Sequence, residues 1–233
     1  MCGRIVATQP TGVLAEYFAV DEVRVEAPEP NWNVAPTDPV PVVVVRNEHR
    51  LLGQMRWGLI PSWSADARGA ARLINARAES VSSKPAFRNA FARRRCLIPA
   101  DGFYEWQRHP DVKTKPWYIH RADGAPMPLA GVWEEWRDPA TDELVRTCAV
   151  ITTKANEWMA PIHDRIPVII EADRWGDWLD PQLDDPNEVS QLLVAADPRL
   201  LDRHRVSDQV NSVRNNGAEL LDPLADADSV DAR

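Results

Sequence analysis

Proline and tryptophan content sets the strongest limit on how this chain can fold. The sequence has twenty prolines and ten tryptophans against ten glycines. Prolines interrupt regular backbone hydrogen bonding and favour turns, and tryptophans are enriched in strands. We therefore expect short strands joined by rigid turns rather than long helices.

Six β-branched or aromatic runs bounded by Pro, Gly or Asp indicate where strands lie. These runs cover residues 40–46, 97–106, 117–121, 129–133, 147–153 and 166–170. They predict a mostly antiparallel sheet or barrel. Helices are expected at residues 13–19, 84–94 and 187–196. Trp175 and Trp178 stand at helical spacing and are expected to pack in the core.

The remaining composition predicts one globular domain. With 233 residues, 44% of them hydrophobic and 27% charged, the chain can bury a single core. The longest apolar run, residues 40–45, is interrupted by Pro41, and the N-terminus lacks a basic-then-apolar signal. We therefore expect no membrane span and a cytoplasmic location. The domain is expected to cover residues 2–223, and residues 224–233 form a polar, acidic tail.

The three cysteines do not suggest a metal or a disulfide. Cys2, Cys96 and Cys148 lie far apart and form no CxxC pair. This spacing supports neither a disulfide framework nor a cysteine zinc site. We expect no metal and no cofactor, and any cysteine chemistry is that of a free thiol.

The net charge of -8 is unevenly distributed along the chain. Residues 65–95 hold eight basic residues against two acidic ones, whereas residues 171–233 hold six basic residues against fifteen acidic ones. One basic face on an acidic protein would suit a nucleic acid partner. The alternative is a solvated helix whose acidic neighbours lie close in space.

Cys2 is the most informative position for chemistry. Removal of Met1 would leave a residue with both a free α-amine and a thiol. The unperturbed pKa values are about 7.7–8.0 for such an amine and about 8.5 for the thiol, so both reactive forms are accessible near neutral pH. An aldehyde would form a Schiff base with the amine, and the thiol would then close a five-membered thiazolidine. The alternative is that a cysteine at this position is incidental.

Three short phrases carry further polar candidates. In 75–79, Asn75, Arg77 and Glu79 would share one face if the backbone were extended. Glu105 lies among aromatic residues, where loss of water would make its carboxyl a usable acid or base. His163 is flanked by charged residues between two prolines. Plain alternatives are a turn cap for Asn75, an arginine partner for Glu105 and a surface position for His163.

Together, these phrases resemble the SOS response-associated peptidase (SRAP) family of abasic site processing proteins. The resemblance spans roughly residues 2 to 223. It is carried by six motifs in order and a late phrase: MCGR at 1–4, NVAPT at 33–37, RWGLIP at 56–61, NARAE at 75–79, RCLIPA at 95–100 with GFYEW at 102–106, HDRIP at 163–167, and VS at 206–207 followed by VN at 210–211.

The resemblance implies a single α+β domain with a barrel-like β core flanked by helices. It implies that Cys2 crosslinks to an abasic site in single-stranded DNA and that Asn75, Glu105 and His163 surround it. Glu105 would move protons during imine formation, and His163 would protonate the sugar oxygen. The family name further implies self-removal of Met1, and DNA lyase activity is a further expectation. No Ser-His-Asp arrangement for general proteolysis can be read from the sequence.

The resemblance also implies a DNA-binding surface. The residues expected to contact DNA are Arg4, Asn33, Pro36, Trp63, Arg77 and Arg165. Trp63 either stacks on a base or is buried. The expected partner is single-stranded DNA with abasic sites, met by a monomer in the cytoplasm near the nucleoid.

Two other functions remain open from the sequence. Glutamine amidotransferases also begin Met-Cys-Gly, but they would be expected to carry an Asn-Gly oxyanion element. The Asn-Gly pair of this chain, Asn216 and Gly217, lies in the acidic C-terminal region. The second of these alternatives is non-covalent binding of single-stranded DNA with an inert Cys2.

Overall fold

The computed structural model describes residues 2–26, 28–107 and 114–224. Within these residues, the chain forms thirteen strands and four α-helices, with short 3-10 turns between them. The strands are β1 (Ile5–Ala7), β2 (Glu22–Val23), β3 (Asn31–Val34), β4 (Pro39–Arg46), β5 (His49–Trp57), β6 (Asn75–Arg77), β7 (Arg95–Ala100), β8 (Gly102–Gln107), β9 (Lys115–Arg121), β10 (Met127–Arg137), β11 (Leu144–Lys154), β12 (Arg165–Pro167) and β13 (Leu201–Arg205). The helices are α1 (Thr11–Tyr17), α2 (Arg88–Arg93), α3 (Trp175–Leu179) and α4 (Pro186–Ser190).

Five strands close into a barrel. β4 pairs antiparallel with β5 and β7, and β10 pairs antiparallel with β7 and β11. A parallel pairing of β11 with β5, in which Cys148 lies opposite Trp57, closes the ring. Side chains that point inward, such as Ile98, Leu129 and Val150, are fully buried. The predicted α+β fold with a mostly antiparallel, barrel-like core is confirmed.

A second sheet and a short strand bring the N-terminus to the barrel. The second sheet has the order β13-β9-β8-β1-β3. In it, Ile5 of β1 lies opposite Phe103 of β8, so the residues just before β1 run beside β8. β6 pairs parallel with barrel strand β11, with Asn75 opposite Val150. The start of the chain therefore lies between β8 and β6.

The predicted strand over residues 97–106 is wrong as one element, because the chain bends at Asp101. There, the Asp101 carboxylate accepts hydrogen bonds from the backbone and the hydroxyl of Thr8, both at 2.6 Å. A Cβ on Gly102 would lie 2.5 Å from the Tyr118 ring, so glycine permits this close approach. The run therefore divides into β7 in the barrel and β8 in the second sheet.

The other expected elements are present with shifted ends. Residues 84–87 form turns rather than helix, since Pro85 has no N–H to donate to the preceding turn. Only residues 166–167 of the last predicted run, 166–170, lie in a strand, and that strand, β12, begins at Arg165. The helix expected at 13–19 spans Thr11–Tyr17, and the one expected at 187–196 spans Pro186–Ser190.

The two tryptophans of α3 pack as predicted. Trp178 is fully buried, and Trp175 is nearly so. No helix in the described ranges is long and apolar enough to cross a membrane. The predicted tail lies outside the described residues except for Leu224, and the domain boundary at 223 stays a prediction.

Candidate active site around Cys2

Cys2 lies in the interior of the protein, immediately before β1. Its side chain is 1% exposed and belongs to the core cluster that fills the barrel. Burial raises the pKa of the Cys2 thiol well above its usual range, and the negative charge of Glu105 raises it further. The thiol is therefore held in its protonated form at neutral pH.

Asn75 holds the backbone of Cys2. Its Nδ2 donates a 2.6 Å hydrogen bond to the Cys2 carbonyl oxygen. The parallel pairing of β6 with β11 fixes Asn75 at this place, so the turn-cap alternative does not hold. Among the described residues, the buried Asn75 Oδ1 has no hydrogen-bond partner. This acceptor is therefore available to a donor on a bound group, such as an amine.

Glu105 is a buried carboxyl on the central part of β8. It is 3% exposed. Alternation along the strand places Phe103 in the barrel cluster and Tyr104 in a separate cluster on the opposite face. Glu105 therefore shares the face of Phe103, toward the barrel cluster that contains Cys2. Its influence on the pKa of the Cys2 thiol is consistent with this placement.

His163 lies on a turn, and its side chain is 13% exposed, which disagrees with the surface alternative. Its Nδ1 accepts a 3.0 Å hydrogen bond from the backbone N–H of Arg165. The same nitrogen lies 2.9 Å from Asp164 Oδ1, a contact that suits the protonated ring. The Arg165 N–H favours a bare Nδ1 and the Asp164 carboxylate a protonated one, and together the two contacts hold the ring in place.

Gln107 connects the His163 turn to the strand of Glu105, and sequence reasoning missed it. Its Nε2 donates to the Pro161 carbonyl at 3.1 Å, and its Oε1 accepts from Trp117 Nε1 at 3.2 Å. A glutamine at the end of an aromatic strand carries no sequence signal for such a contact. Gln107 therefore links the turn that carries His163 to β8, at a point two residues beyond Glu105.

Arg4 and Asn33 clamp the C-terminal strap, which we define as residues 206–216. Arg4 Nη1 donates to Asn33 Oδ1 at 2.6 Å and to the Val210 carbonyl at 2.8 Å. Asn33 is 2% exposed, and its Nδ2 donates to the carbonyls of Val210, Ser212 and Asn215. These contacts give Arg4 and Asn33 a structural role that the sequence did not indicate, and their DNA contacts stay predictions.

Arg77 and Arg165 differ in exposure and in ion pairing. Arg77 is exposed at the end of β6, and its guanidinium has no ion-pair partner within the described ranges. Arg165 is mostly buried and makes a two-point ion pair with Glu79, at 2.6 and 2.8 Å. Because β6 ends at Arg77, Glu79 lies in a turn rather than on an extended face. Arg77 is thus free to meet a phosphate, whereas Arg165 already has an anion.

Trp63 and Pro36 lie on loops. Trp63 is 67% exposed, so the alternative that it is buried does not hold. Its loop is held by Trp136, whose Nε1 donates to the Ser64 carbonyl at 2.8 Å. Pro36 is half-buried on a turn closed by a 3.1 Å hydrogen bond from the Asp38 N–H to the Ala35 carbonyl. Base stacking by Trp63 and DNA contact by Pro36 stay predictions.

No candidate metal centre accompanies these residues. Across the described ranges, no group of three or more His, Cys, Asp and Glu side chains is arranged to hold a metal ion. The candidate side chains are instead a thiol, a carboxamide, a carboxyl and an imidazole; the carboxamide contacts the Cys2 backbone, and the carboxyl acts on the pKa of the thiol. Such a set can exchange protons with an aldehyde and its adducts.

Comparisons with known proteins give one consistent family. The family model described as "SOS response associated peptidase (SRAP)" matches residues 1–213. The chain is 40% identical over 224 residues to abasic site processing protein YoqW of Bacillus subtilis, with 95% of this chain and 99% of YoqW covered. It is 30% identical over 233 residues to abasic site processing protein YedK of Escherichia coli, with 96% and 100% covered.

Solved structures share the fold. A Bordetella bronchiseptica protein that is 26% identical superposes with a TM-score of 0.74, covering 88% of this chain and all of that one. A Bacteroides thetaiotaomicron protein that is 23% identical has a TM-score of 0.84, covering 96% and 100%. This second likeness concerns the fold alone.

Proposed function

This chain belongs to the SOS response associated peptidase (SRAP) family, and from that premise we propose that it binds abasic sites in single-stranded DNA and crosslinks to them through Cys2. Membership supports a function in abasic-site DNA damage. The finer proposal rests chiefly on one observation. The backbone of Cys2 is held by Asn75 at 2.6 Å, while the Glu105 carboxylate influences the Cys2 thiol electrostatically.

The covalent chemistry begins with removal of Met1, which frees the α-amine of Cys2. We assign this removal to the chain itself, with water cleaving the peptide bond. The amine attacks the aldehyde carbon of the opened abasic sugar, and loss of water gives an imine. The thiol sulfur then bonds to the same carbon while its proton passes to nitrogen. One water leaves, no electron is transferred, and the product is a thiazolidine.

The protonation state of Cys2 sets the order of these steps. Because burial keeps the thiol protonated, the amine is the first nucleophile, and sulfur adds only after the imine has formed. In this proposal, Glu105 accepts a proton from the amine and returns one to the departing hydroxyl. The unpartnered Asn75 Oδ1 accepts a hydrogen bond from the amine and orients it.

His163 acts on the sugar. Ring opening needs a proton at the ring oxygen, and an imidazole can supply it near neutral pH. The contacts of Nδ1 with the Arg165 N–H and with Asp164 hold the His163 ring in place on its turn. A catalyst of opening also catalyses the reverse step, so the same residue would assist release, and with it any DNA lyase activity.

The amidotransferase alternative has little structural support. The Asn216 side chain accepts a 2.8 Å hydrogen bond from the Trp32 N–H and donates to the Pro30 carbonyl. It therefore holds the loop before β3 rather than offering its amide to an oxyanion. Glutaminase activity of the purified protein would nevertheless contradict our proposal directly.

Mass spectrometry after incubation with abasic single-stranded DNA tests the proposal. We expect an adduct equal to the protein without Met1 plus the oligonucleotide minus one water, and we expect it to survive heating. Cys2→Ala should lose this stable adduct, although its new α-amine can form a transient imine. Cys148→Ala is the matched thiol control, because Cys148 is equally buried but lies on β11. An undiminished heat-stable adduct in Cys2→Ala would refute the assignment, and binding without any adduct would favour the non-covalent alternative.

A further inference from the structure

The basic side chains of residues 65–95 form two groups: those engaged by other groups of the protein, and exposed ones, here called free cations, without an ion-pair partner among the described residues. Four of the eight basic side chains are engaged within the protein. They are Arg68 with Asp66, Arg93 with Asp184, Arg94 with Glu134, and Arg95 with backbone carbonyls at the ends of α2 and α3. Arg95 is almost fully buried, so the run 93–95 is no open surface for DNA. The solvated-helix alternative is therefore right only in part: Arg68, Arg93 and Arg94 have acidic neighbours, whereas Arg95 is buried.

The other four cations, Arg72, Arg77, Lys84 and Arg88, are exposed. In the part of the chain that the structure describes, none of them has an ion-pair partner. The carboxylates closest to them in sequence, Asp66 and Glu79, are paired with Arg68 and Arg165. These side chains therefore face solvent without an ion pair among the described residues, and Arg77, in addition to the Arg165 hydrogen bonds, helps to lower the pKa of the nearby Glu79 carboxyl.

Three of the free cations follow one continuous segment that starts at the candidate site. Asn75 contacts Cys2, and Arg77 stands two residues further along β6. From Arg77, backbone turns continue through hydrogen bonds from the Val81 N–H to the Arg77 carbonyl and from the Arg88 N–H to the Lys84 carbonyl. Buried Val81 anchors these turns to the core. The free cations thus stand at increasing sequence distance from Asn75, the residue that contacts Cys2.

We propose that Lys84 and Arg88 form a second phosphate-binding track, which carries the DNA strand away from the lesion beyond Arg77. This inference rests on the proposed function, because it assigns the path of the same strand. The partner chemistry is a polyanion with regularly spaced phosphates, and contact is electrostatic rather than base-specific.

Distance makes the track separable from the lesion site. The successive turns of this segment have helix-like hydrogen bonds between residues four apart, so at a rise of about 1.5 Å per residue the path from Arg77 is about 10 Å to Lys84 and about 16 Å to Arg88. Screening reduces charge effects beyond about 8 Å at physiological salt. Lys84 and Arg88 therefore affect binding only when the strand is long enough to reach them.

Salt-dependent binding tests this proposal with the double variant Lys84→Gln/Arg88→Gln. The probe is single-stranded DNA with a tetrahydrofuran abasic analogue, which has no aldehyde and cannot crosslink. One oligonucleotide has a single nucleotide on each side of the analogue, and another has about ten, enough to pass 16 Å at the roughly 3.4 Å rise per nucleotide of duplex DNA. Arg93→Gln is the matched control, because Arg93 is exposed on the same segment but paired with Asp184.

We expect the slope of log affinity against log salt to shrink by about 1.4 for the long probe, or about 0.7 per lost contact. The short probe and the Arg93→Gln control should keep the parent slope. An unchanged slope on the long probe, or an equal loss of slope on both probes, would refute the proposed phosphate-binding track.

Crosslinking of aldehyde-bearing DNA by the parent protein is measured in parallel. Its absence would refute the proposed function, whereas normal crosslinking with an unchanged slope would refute the track alone.

Discussion

Asn75 donates its hydrogen bond to the main-chain carbonyl of Cys2, across 73 positions of sequence, and not to the thiol. The position of Cys2 therefore depends on its backbone and on β6, while its sulfur remains available for reaction. For this reason, replacing the Cys2 side chain should remove the chemistry without displacing the residue. The relationship also explains why a residue so near the chain terminus is held in place.

Glu105→Gln should slow crosslinking with little change in DNA affinity. The amide retains the shape of the carboxyl but cannot exchange a proton, so the rate should fall by about 10²–10⁴. Single-turnover crosslinking at saturating abasic DNA, with affinity measured separately on the tetrahydrofuran analogue, gives both quantities. A parent rate combined with weaker binding would mean that Glu105 only positions the strand.

Arg77→Ala and Glu79→Gln should change DNA binding in opposite directions. Loss of the free Arg77 cation should weaken binding and lower the salt slope by about 0.7. Glu79→Gln removes a carboxylate that holds Arg165 at two points, so Arg165 becomes available to phosphate and binding should tighten. Fluorescence anisotropy across a salt series measures both effects. Weaker binding by Glu79→Gln would show that the ion pair places Arg165 correctly for DNA.

Asn33→Ala should destabilise the protein. The substitution removes three hydrogen bonds to strap carbonyls and one from Arg4, while Val210 keeps its bond from Arg4, and we expect about 2–3 kcal/mol less free energy of unfolding. Urea unfolding gives the free energy, and limited proteolysis of residues 206–216 reports the strap. Gln209→Ala, exposed on the same strap, is the control. Unchanged stability with weaker DNA binding would instead support direct DNA contact by Asn33.

Alkaline pH should destabilise the folded protein through its thiols. Burial raises the pKa of Cys2, Cys96 and Cys148 above the ordinary value. The unfolded chain releases these protons near pH 8.5 while the folded protein retains them, so stability is complete below that pH and falls above it. The loss should approach about 1.4 kcal/mol per pH unit for each thiol. Urea unfolding from about pH 7 to 10 measures it, and Cys148→Ala should show a shallower decline than the parent.

Local sequence determined the strands, the reactive residue and the family. The β-branched and aromatic runs became β4, β10 and β11 of the barrel and β9 of the second sheet, because such side chains fit a pleated, half-buried surface. The aminothiol chemistry of Cys2 follows from its covalent structure once Met1 is removed, and needs no fold to be recognised. The ordered motifs sufficed to place the chain in its family.

Tertiary structure decided which charged and polar side chains are free. Sequence alone could not show that Arg95 is buried on helix-end carbonyls while Arg77 faces solvent, or that Arg4 and Asn33 clamp the strap. Nor could it place the bend at Asp101, which depends on a partner 93 positions away. The physical reason is the same in each case: a hydrogen bond or ion pair depends on which distant groups the closed barrel brings within about 3 Å, and neighbouring residues do not encode that distance.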